Sequence, residues 1–256
     1  MNAIEKDKYL REKFGGRLIS DSFQKKIKKT KLAVFDFDET LVQSKKMFDN
    51  VNRTAMIKLN LSFTEDIVQN TFTIAQTEYI GWGKDFNEQI HIFHTKFNDT
   101  VVQLCNNEEF LNQVKFYNGM REVIKQIAKT DFALAIASSR DLYSILKFLK
   151  KERMLSYFDM VQATEGGKHF KDKPHPQIVN YISQEIGIPL ENSVMIGDTS
   201  GDINMGKSAG MKTIGIGYGK YTSAKKMKEY HPNKIIQSTD DIKNIPEIIK
   251  SLINER

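Results

Sequence analysis

The sequence predicts an α/β protein: a doubly wound parallel sheet with a helical module inserted after its first strand. Three observations predict it. Short, wholly apolar runs alternate with amphipathic helical segments, the pattern of a sheet covered on both faces. Between about Lys45 and Lys115 the alternation stops, and apolar residues recur at helical spacing instead. Polar clusters stand directly after several apolar runs, and the carboxyl ends of parallel strands share one rim.

Leu32–Phe35 reads as the first buried strand. Met120 to Lys129 reads as an amphipathic helix with Val123, Ile124 and Ile127 on one face. Phe132–Ala137 is the second buried strand, followed by a helix from Tyr143 to Lys150 whose Ile145, Leu146 and Leu149 turn inward. Phe158–Val161 suggests a short strand, and Ile178–Ile186 a helix closed by Gly187 as C-cap residue. Val194–Ile196 and Thr213–Ile216 are the next strands. Ile235-Ile236 adds a last one, and Ile245 to Leu252 a terminal helix beginning near Pro246. In the interrupted interval, Met56, Leu59, Ile67, Val68, Phe72, Ile90, Phe93, Phe97, Val101 and Leu104 suit the interior of a small bundle, with no strand. The expected organisation is an N-terminal extension (1–30), a core (31–44 and 116–256) and a helical cap (45–115). The extension is polar and basic, broken by Gly15-Gly16, and reads as a short packed helix or a loose tail.

The 256 residues are 40% hydrophobic and 27% charged, as in globular proteins with a sizeable core. No apolar run approaches the ~20 residues that cross a bilayer. The first residues lack the apolar centre of a signal peptide and carry Glu5, Asp7 and Glu12. Cys105 is the only cysteine, which excludes an intrachain disulfide and a cysteine-built zinc site; a reducing cytoplasm is the expected compartment. The net charge of +6 is concentrated in Lys25-Lys26-Ile27-Lys28-Lys29 and Lys225-Lys226-Met227-Lys228. No nucleic-acid motif accompanies it, so it reads as solvated surface whose field attracts anionic substrates.

The chemistry lies in four clusters. Asp36-Phe37-Asp38-Glu39-Thr40 follows the first strand, and two carboxylates two residues apart point to one side of an extended chain. They repel each other unless a cation neutralises them or one is protonated, and Mg²⁺, a hard ion suited to oxygen ligands, meets the first condition. Ser138-Ser139-Arg140 follows the second strand. Lys173-Pro174-His175-Pro176 precedes the Ile178 helix, and Gly197-Asp198-Thr199-Ser200-Gly201-Asp202 follows Ile196. Together they offer a nucleophile, a proton carrier, hydroxyl and amide donors, a fixed cation and metal carboxylates, the inventory of phosphoryl transfer. Each piece also has a plain structural reading. Asp38 forms a turn, Ser138-Ser139 caps a helix, Arg140 lies exposed, Lys173 is solvated, and Asp202 complements a helix N-terminus.

The four clusters resemble the haloacid dehalogenase superfamily, specifically its Mg²⁺-dependent phosphatases with a helical cap after the first strand. The likeness runs from about Lys31. It is tightest between Lys173 and Gly219, where Lys173–Pro176, Gly197–Asp202, Ser208–Met211 and Gly215–Gly219 look like phosphoglycolate-phosphatase relatives. The resemblance implies a Rossmann-like core and a nucleophilic Asp36 that forms an aspartyl-phosphate. It implies that Asp38 protonates the leaving alcohol and then takes a proton from water, while Thr40 orders the loop. Ser138 and the Ser139 amide would hold phosphate oxygens, Arg140 would add charge, and Lys173 would pair with the phosphoryl group and Asp36. Asp198 would ligate Mg²⁺ beside Asp36 and the backbone carbonyl of Asp38, with Asp202 acting through water. The implied reaction is hydrolysis of a phosphate monoester on a small phosphorylated metabolite. Two alternatives stand beside it: a phosphomutase acting on a sugar phosphate, and a protein-directed phosphatase whose basic N-terminal segment binds a partner. The chain departs from these relatives in carrying Asn118 where a proline often precedes the glycine, and in its N-terminal extension. His91 and His94 lack a carboxylate or cysteine partner, which argues against a metal there. Trp82, Lys84 and Arg53 are cap positions suited to contact with an acidic substrate or to ordinary packing.

Overall fold

A computed structural model of the chain describes residues 28–60, 64–66, 68, 87–165, 167 and 170–254, with backbone alone for 87–95. Six strands form one parallel sheet: β1 (Lys31–Phe35), β4 (Phe132–Ser138), β5 (Met160–Ala163), β6 (Ser193–Gly197), β7 (Lys212–Ile216) and β8 (Lys234–Ile236). Their order is β5-β4-β1-β6-β7-β8. Every residue of β4, β5 and β6 is buried, as continuous apolar runs require when both faces are covered. The chain winds outward from β1 to β4 and β5, then resumes on the other side with β6, β7 and β8. That reversal makes the carboxyl ends of β4, β1 and β6 a topological switch point, where such sheets bind ligands. The register brings the strand ends level: Phe35 pairs with Ile136 on one side and Ile196 on the other.

The core helices follow the expected faces. Helix α4 (Met120–Ala128) buries Val123, Ile124 and Ile127, together with Met120 and Ala128. Helix α5 (Leu142–Lys151) starts earlier than its apolar spacing suggests, because the Asp141 side chain accepts from the Ser144 N–H as N-cap. Helix α6 (Gln177–Ile186) ends at Gly187, whose φ of +76° is the left-handed conformation that stops a helix. Helices α7 (Ser200–Ser208), α8 (Ala224–Lys228) and α9 (Ile245–Asn254) complete the core. The lysine-rich stretch 225–228 is therefore not merely solvated surface. It is the short helix α8, and it seats a fully buried Met227 against Gly215, where a Cβ would lie 2.4 Å from the methionine sulfur.

Residues Ser44–Lys115 form a compact unit of their own. Among the described residues it contains α1 (Lys45–Lys58), α2 (Asn87–Cys105) and α3 (Glu108–Leu111). Met56, Val68, Phe97 and Leu104 are buried as expected, while Leu59 and Val101 are only half-buried. Met47, Phe48, Val51 and Ala55 supply buried surface that the spacing argument overlooked. The side chains of Ile67, Phe72, Ile90 and Phe93 lie outside the described residues. The expectation of no strand is corrected at the interval's edge. There β3 (Lys115–Phe116) forms a two-stranded sheet with β2 (Val42–Gln43), both too short to carry a readable alternation.

Residues 1–27 lie outside the described residues. Just after them, Lys29 donates to the carbonyls of Ala128 and Thr130 at 3.0 and 2.8 Å, closing the end of α4. No helix among the described residues is long and apolar enough to cross a membrane. Cys105 is buried.

Candidate active site

Asp36 leaves β1 with its N–H still donating to the Ile196 carbonyl at 2.8 Å, in line with β6. The extended chain ends there. Leu41 and Val42 donate back to the Phe37 carbonyl, and Glu39 turns through a left-handed φ of +57°. The two neighbouring acids therefore reach different bases rather than sharing one side of a strand. Asp36 Oδ1 accepts from Lys173 Nζ at 2.5 Å, and Asp38 Oδ1 from Arg140 Nη1 at 2.8 Å.

Asp198 directly follows β6. Its Oδ1 accepts from Thr40 Oγ1 at 3.3 Å, and its Oδ2 is buried with no hydrogen-bond donor among the described residues. Asp202 lies in the first turn of α7, where it forms a reciprocal capping box with Thr199. Its Oδ2 takes the Thr199 hydroxyl at 2.6 Å, leaving Oδ1 to take Lys173 Nζ at 2.6 Å. Asp202 thus caps the helix through one oxygen and meets Lys173 through the other. Gly197 makes room for it, since a Cβ there would lie 2.3 Å from Asp202 Cγ. Lys173 is not solvated: its side chain is 7% exposed, lodged between Asp36 and Asp202. The Lys173–Pro174 peptide is cis.

Carboxylate oxygens of Asp36, Asp198 and Asp202 all come within 4.8 Å of one another. Burial pushes Asp36 up to about 7; Lys173 pulls against this, while Asp202 and Asp38 add to it. Asp198 is raised well above the usual carboxylate range, first by burial and then by the charges of Asp36, Asp202 and Glu39. Burial works against the Lys173 ammonium too, but Asp202 and Asp36 outweigh it and hold the lysine above its ordinary range. Three buried acids face one buried base. That imbalance, with the orphaned oxygen of Asp198, fits a hard divalent cation bound by carboxylate oxygens. The Asp38 carboxylate stands apart from this trio, on Arg140.

Arg140 is buried, so its exposed-surface reading does not hold. Its Nε donates to Ser144 Oγ at 2.8 Å, and its guanidinium lies 5.7 Å from the Phe37 ring centre. Ser138 is buried at the end of β4, its Oγ accepting from the Arg140 N–H at 3.2 Å, with Ser139 half-buried beside it. Neither serine caps the following helix, because Asp141 does. Arg53 is engaged within its own unit by Glu65, with Nη2 to Oε2 at 2.6 Å. Trp82 and Lys84 lie outside the described residues, as do the side chains of His91 and His94.

Three residues at the site carried no assignment from sequence. Glu39 is buried and accepts from Tyr117 Oη at 2.8 Å and from the Lys220 N–H at 3.0 Å. Tyr218 Oη donates to the Thr40 carbonyl at 2.9 Å. Burial pushes both phenols up, so each remains a donor. Tyr218 stood inside a glycine-flanked segment already singled out. Tyr117 is one aromatic residue among many and had no distinguishing signal.

Comparison with known proteins shows the family. The chain is 29% identical to pyrophosphatase PpaX of Halalkalibacterium halodurans over 52% of its own length and 60% of that protein's. It is 24% identical to phosphoglycolate phosphatase of Colwellia psychrerythraea over 81% of its length and 92% of the relative's. The crystal structure of a predicted phosphatase from Clostridium acetobutylicum superposes with a TM-score of 0.68 at 19% identity, covering 88% of this chain and 99% of that one. The haloacid dehalogenase-like hydrolase pattern matches residues 33–216, and the chain belongs to that family.

Proposed function

We propose that the protein is a Mg²⁺-dependent phosphatase that hydrolyses a phosphate monoester through an aspartyl-phosphate on Asp36. One observation carries the reading: Asp36, Asp198 and Asp202 converge within 4.8 Å around a buried Lys173 at the switch point of the sheet. Asp36 is the carboxylate at the end of the central strand, and Lys173 orients it through Oδ1, leaving Oδ2 to attack phosphorus. As the new O–P bond forms, the ester P–O bond breaks and Asp38 hands its proton to the departing alcohol. Arg140 keeps Asp38 directed away from the Lys173 contact, so nucleophile and proton carrier stay distinct. In the second displacement water attacks phosphorus, Asp38 takes the water's proton, and Asp36 is released unchanged. Ser138 Oγ and the Ser139 N–H are the donors for phosphoryl oxygens at the end of β4. Mg²⁺ held by Asp36, Asp198 and the Asp38 carbonyl, with Asp202 acting through water, would supply positive charge against those oxygens.

The substrate is a small phosphorylated metabolite. Phosphoglycolate heads the candidates, because a relative matched over 92% of its length is named for it; pyrophosphate, an anhydride rather than an ester, is the comparison substrate that the name of the other relative suggests. The test is phosphate release from a phosphometabolite panel by the purified chain with Mg²⁺. Asp36→Asn is expected to abolish turnover with the fold intact, and Asp38→Asn to cost about 10²–10⁴-fold in kcat. Near-normal turnover by Asp36→Asn would defeat the mechanism. Isomer formation without phosphate release would move the reading to a mutase. Rates on phosphopeptides above those on every small ester would move it to a protein-directed role.

A further inference from the structure

Glu39 sits between the proposed proton carrier and the loop-ordering Thr40, in a backbone conformation that side-chain-bearing residues rarely adopt. We propose that Glu39 is a positioning residue, whose buried carboxylate clamps the Asp36–Thr40 turn onto the segments at Tyr117 and Tyr218–Lys220 and so sets its distance from Asp198. The consequence for turnover rests on the phosphatase reading; the clamp itself does not.

A left-handed, non-glycine residue persists where its surroundings over-determine it. Here they do. Glu39 is 1% exposed, and its Oε2 receives donors from two separate segments, the Tyr117 hydroxyl and the Lys220 N–H. The same turn is tied again through its backbone. Tyr117 N–H donates to the Leu41 carbonyl at 3.1 Å, and the Tyr218 hydroxyl to the Thr40 carbonyl. The two tyrosine rings meet edge to face with centres 4.7 Å apart, joining the two supports to each other. Gly219 completes the link to the acid trio. A Cβ there would lie 3.0 Å from the Glu39 carbonyl oxygen and 3.1 Å from Asp198 Oδ2, so this segment touches both at once. Releasing Glu39 would free the turn that carries Asp36 and Asp38 to move against Asp198.

The experiment compares wild type with Glu39→Gln, Glu39→Gly and Tyr117→Phe in the full chain. It measures kcat and KM on p-nitrophenyl phosphate, and the rise in Tm on adding Mg²⁺ without substrate. Glutamine keeps an acceptor oxygen for both donors and removes the charge; glycine accepts the backbone angle and removes the clamp. The expected result is a fall of about 10- to 100-fold in kcat for Glu39→Gly, with KM little changed. Its Mg²⁺-induced rise in Tm should shrink, Glu39→Gln should recover most of both, and Tyr117→Phe should fall between. A wild-type Mg²⁺ response and kcat in Glu39→Gly would overturn the clamp. So would Glu39→Gln losing as much as Glu39→Gly, which would make the charge rather than the geometry responsible. If Glu39→Gly does not fold, an unaltered kcat and Mg²⁺ response in Tyr117→Phe overturns it instead. A wild-type chain that cleaves no phosphate ester would count against the phosphatase reading alone, because the Tm comparison reports on the clamp without substrate.

Discussion

Asp159 illustrates how far a single buried acid can escape a reading of the sequence. The expected strand Phe158–Val161 includes it, but β5 begins two residues later, at Met160, and the Asp159 side chain bonds to β4 instead. Its Oδ2 accepts from the Leu134 N–H at 2.7 Å. Burial raises its pKa, and the Leu134 N–H and the nearby Lys29 charge only partly offset this. The sign follows from comparing the two states. Below the unfolded pKa of about 3.9 both states hold the proton and the contribution is fully present. As pH rises through the higher folded pKa, the carboxyl must ionise in a buried position and that contribution is lost. Asp159→Asn keeps an acceptor for Leu134 and removes the titration. The Tm of the variant relative to wild type should therefore rise as pH increases above about 4. A difference independent of pH across that range would refute the assignment. Asp36, Asp198 and Lys173 were legible because each follows or precedes an apolar run whose end faces the rim. Glu39 was not, because its role depends on a backbone angle and on partners 78 and 181 positions away.

Helix α7 shows the same division among secondary-structure elements. Its sequence, Ser200–Ser208, includes two glycines and has little periodicity, so nothing in it announces a helix beyond the Thr199–Asp202 cap. Packing explains Gly206. A Cβ there would lie 2.7 Å from Thr213 Cγ2 and 2.9 Å from Met195 Cβ, so the helix rests directly on β6 and β7. Alanine would favour the isolated helix by roughly 1 kcal/mol, but overpacking at such contacts costs about 1–3 kcal/mol. Gly206→Ala should therefore lower Tm by a few degrees, at about 2–4 °C per kcal/mol for a chain of this size. It should also reduce turnover by shifting Asp202 off Lys173. A variant at least as stable as wild type would show that α7 can withdraw without loss. By contrast α4, α5 and α6 were readable, because each is held by an apolar face and their ends obey local capping chemistry.

The assembled core gathers its acids from positions 36, 198 and 202 onto one rim, with one lysine from the loop after β5. The excess negative charge is confined to a buried site in a chain whose net charge is +6. Binding of a divalent cation there should stabilise the folded state, by about 2.7 kcal/mol at a hundred times Kd. Millimolar Mg²⁺ is expected to raise Tm, EDTA to reverse the rise and abolish phosphate release, and Asp198→Asn to remove the response. An Asp198→Asn chain that responds to Mg²⁺ like wild type would place the cation elsewhere. The sequence by itself determined the parallel sheet, because runs buried on both faces leave a local apolar signature. It determined the polar strand ends in the same way, as breaks in that signature. Only the tertiary structure decided which carboxylates face one another, that Arg140 pairs with Asp38, and that Glu39 bonds the Asp36–Thr40 turn to distant segments. These pairings depend on the order in which strands lie side by side and on single backbone angles, and neither quantity is encoded in the spacing of residues along the chain.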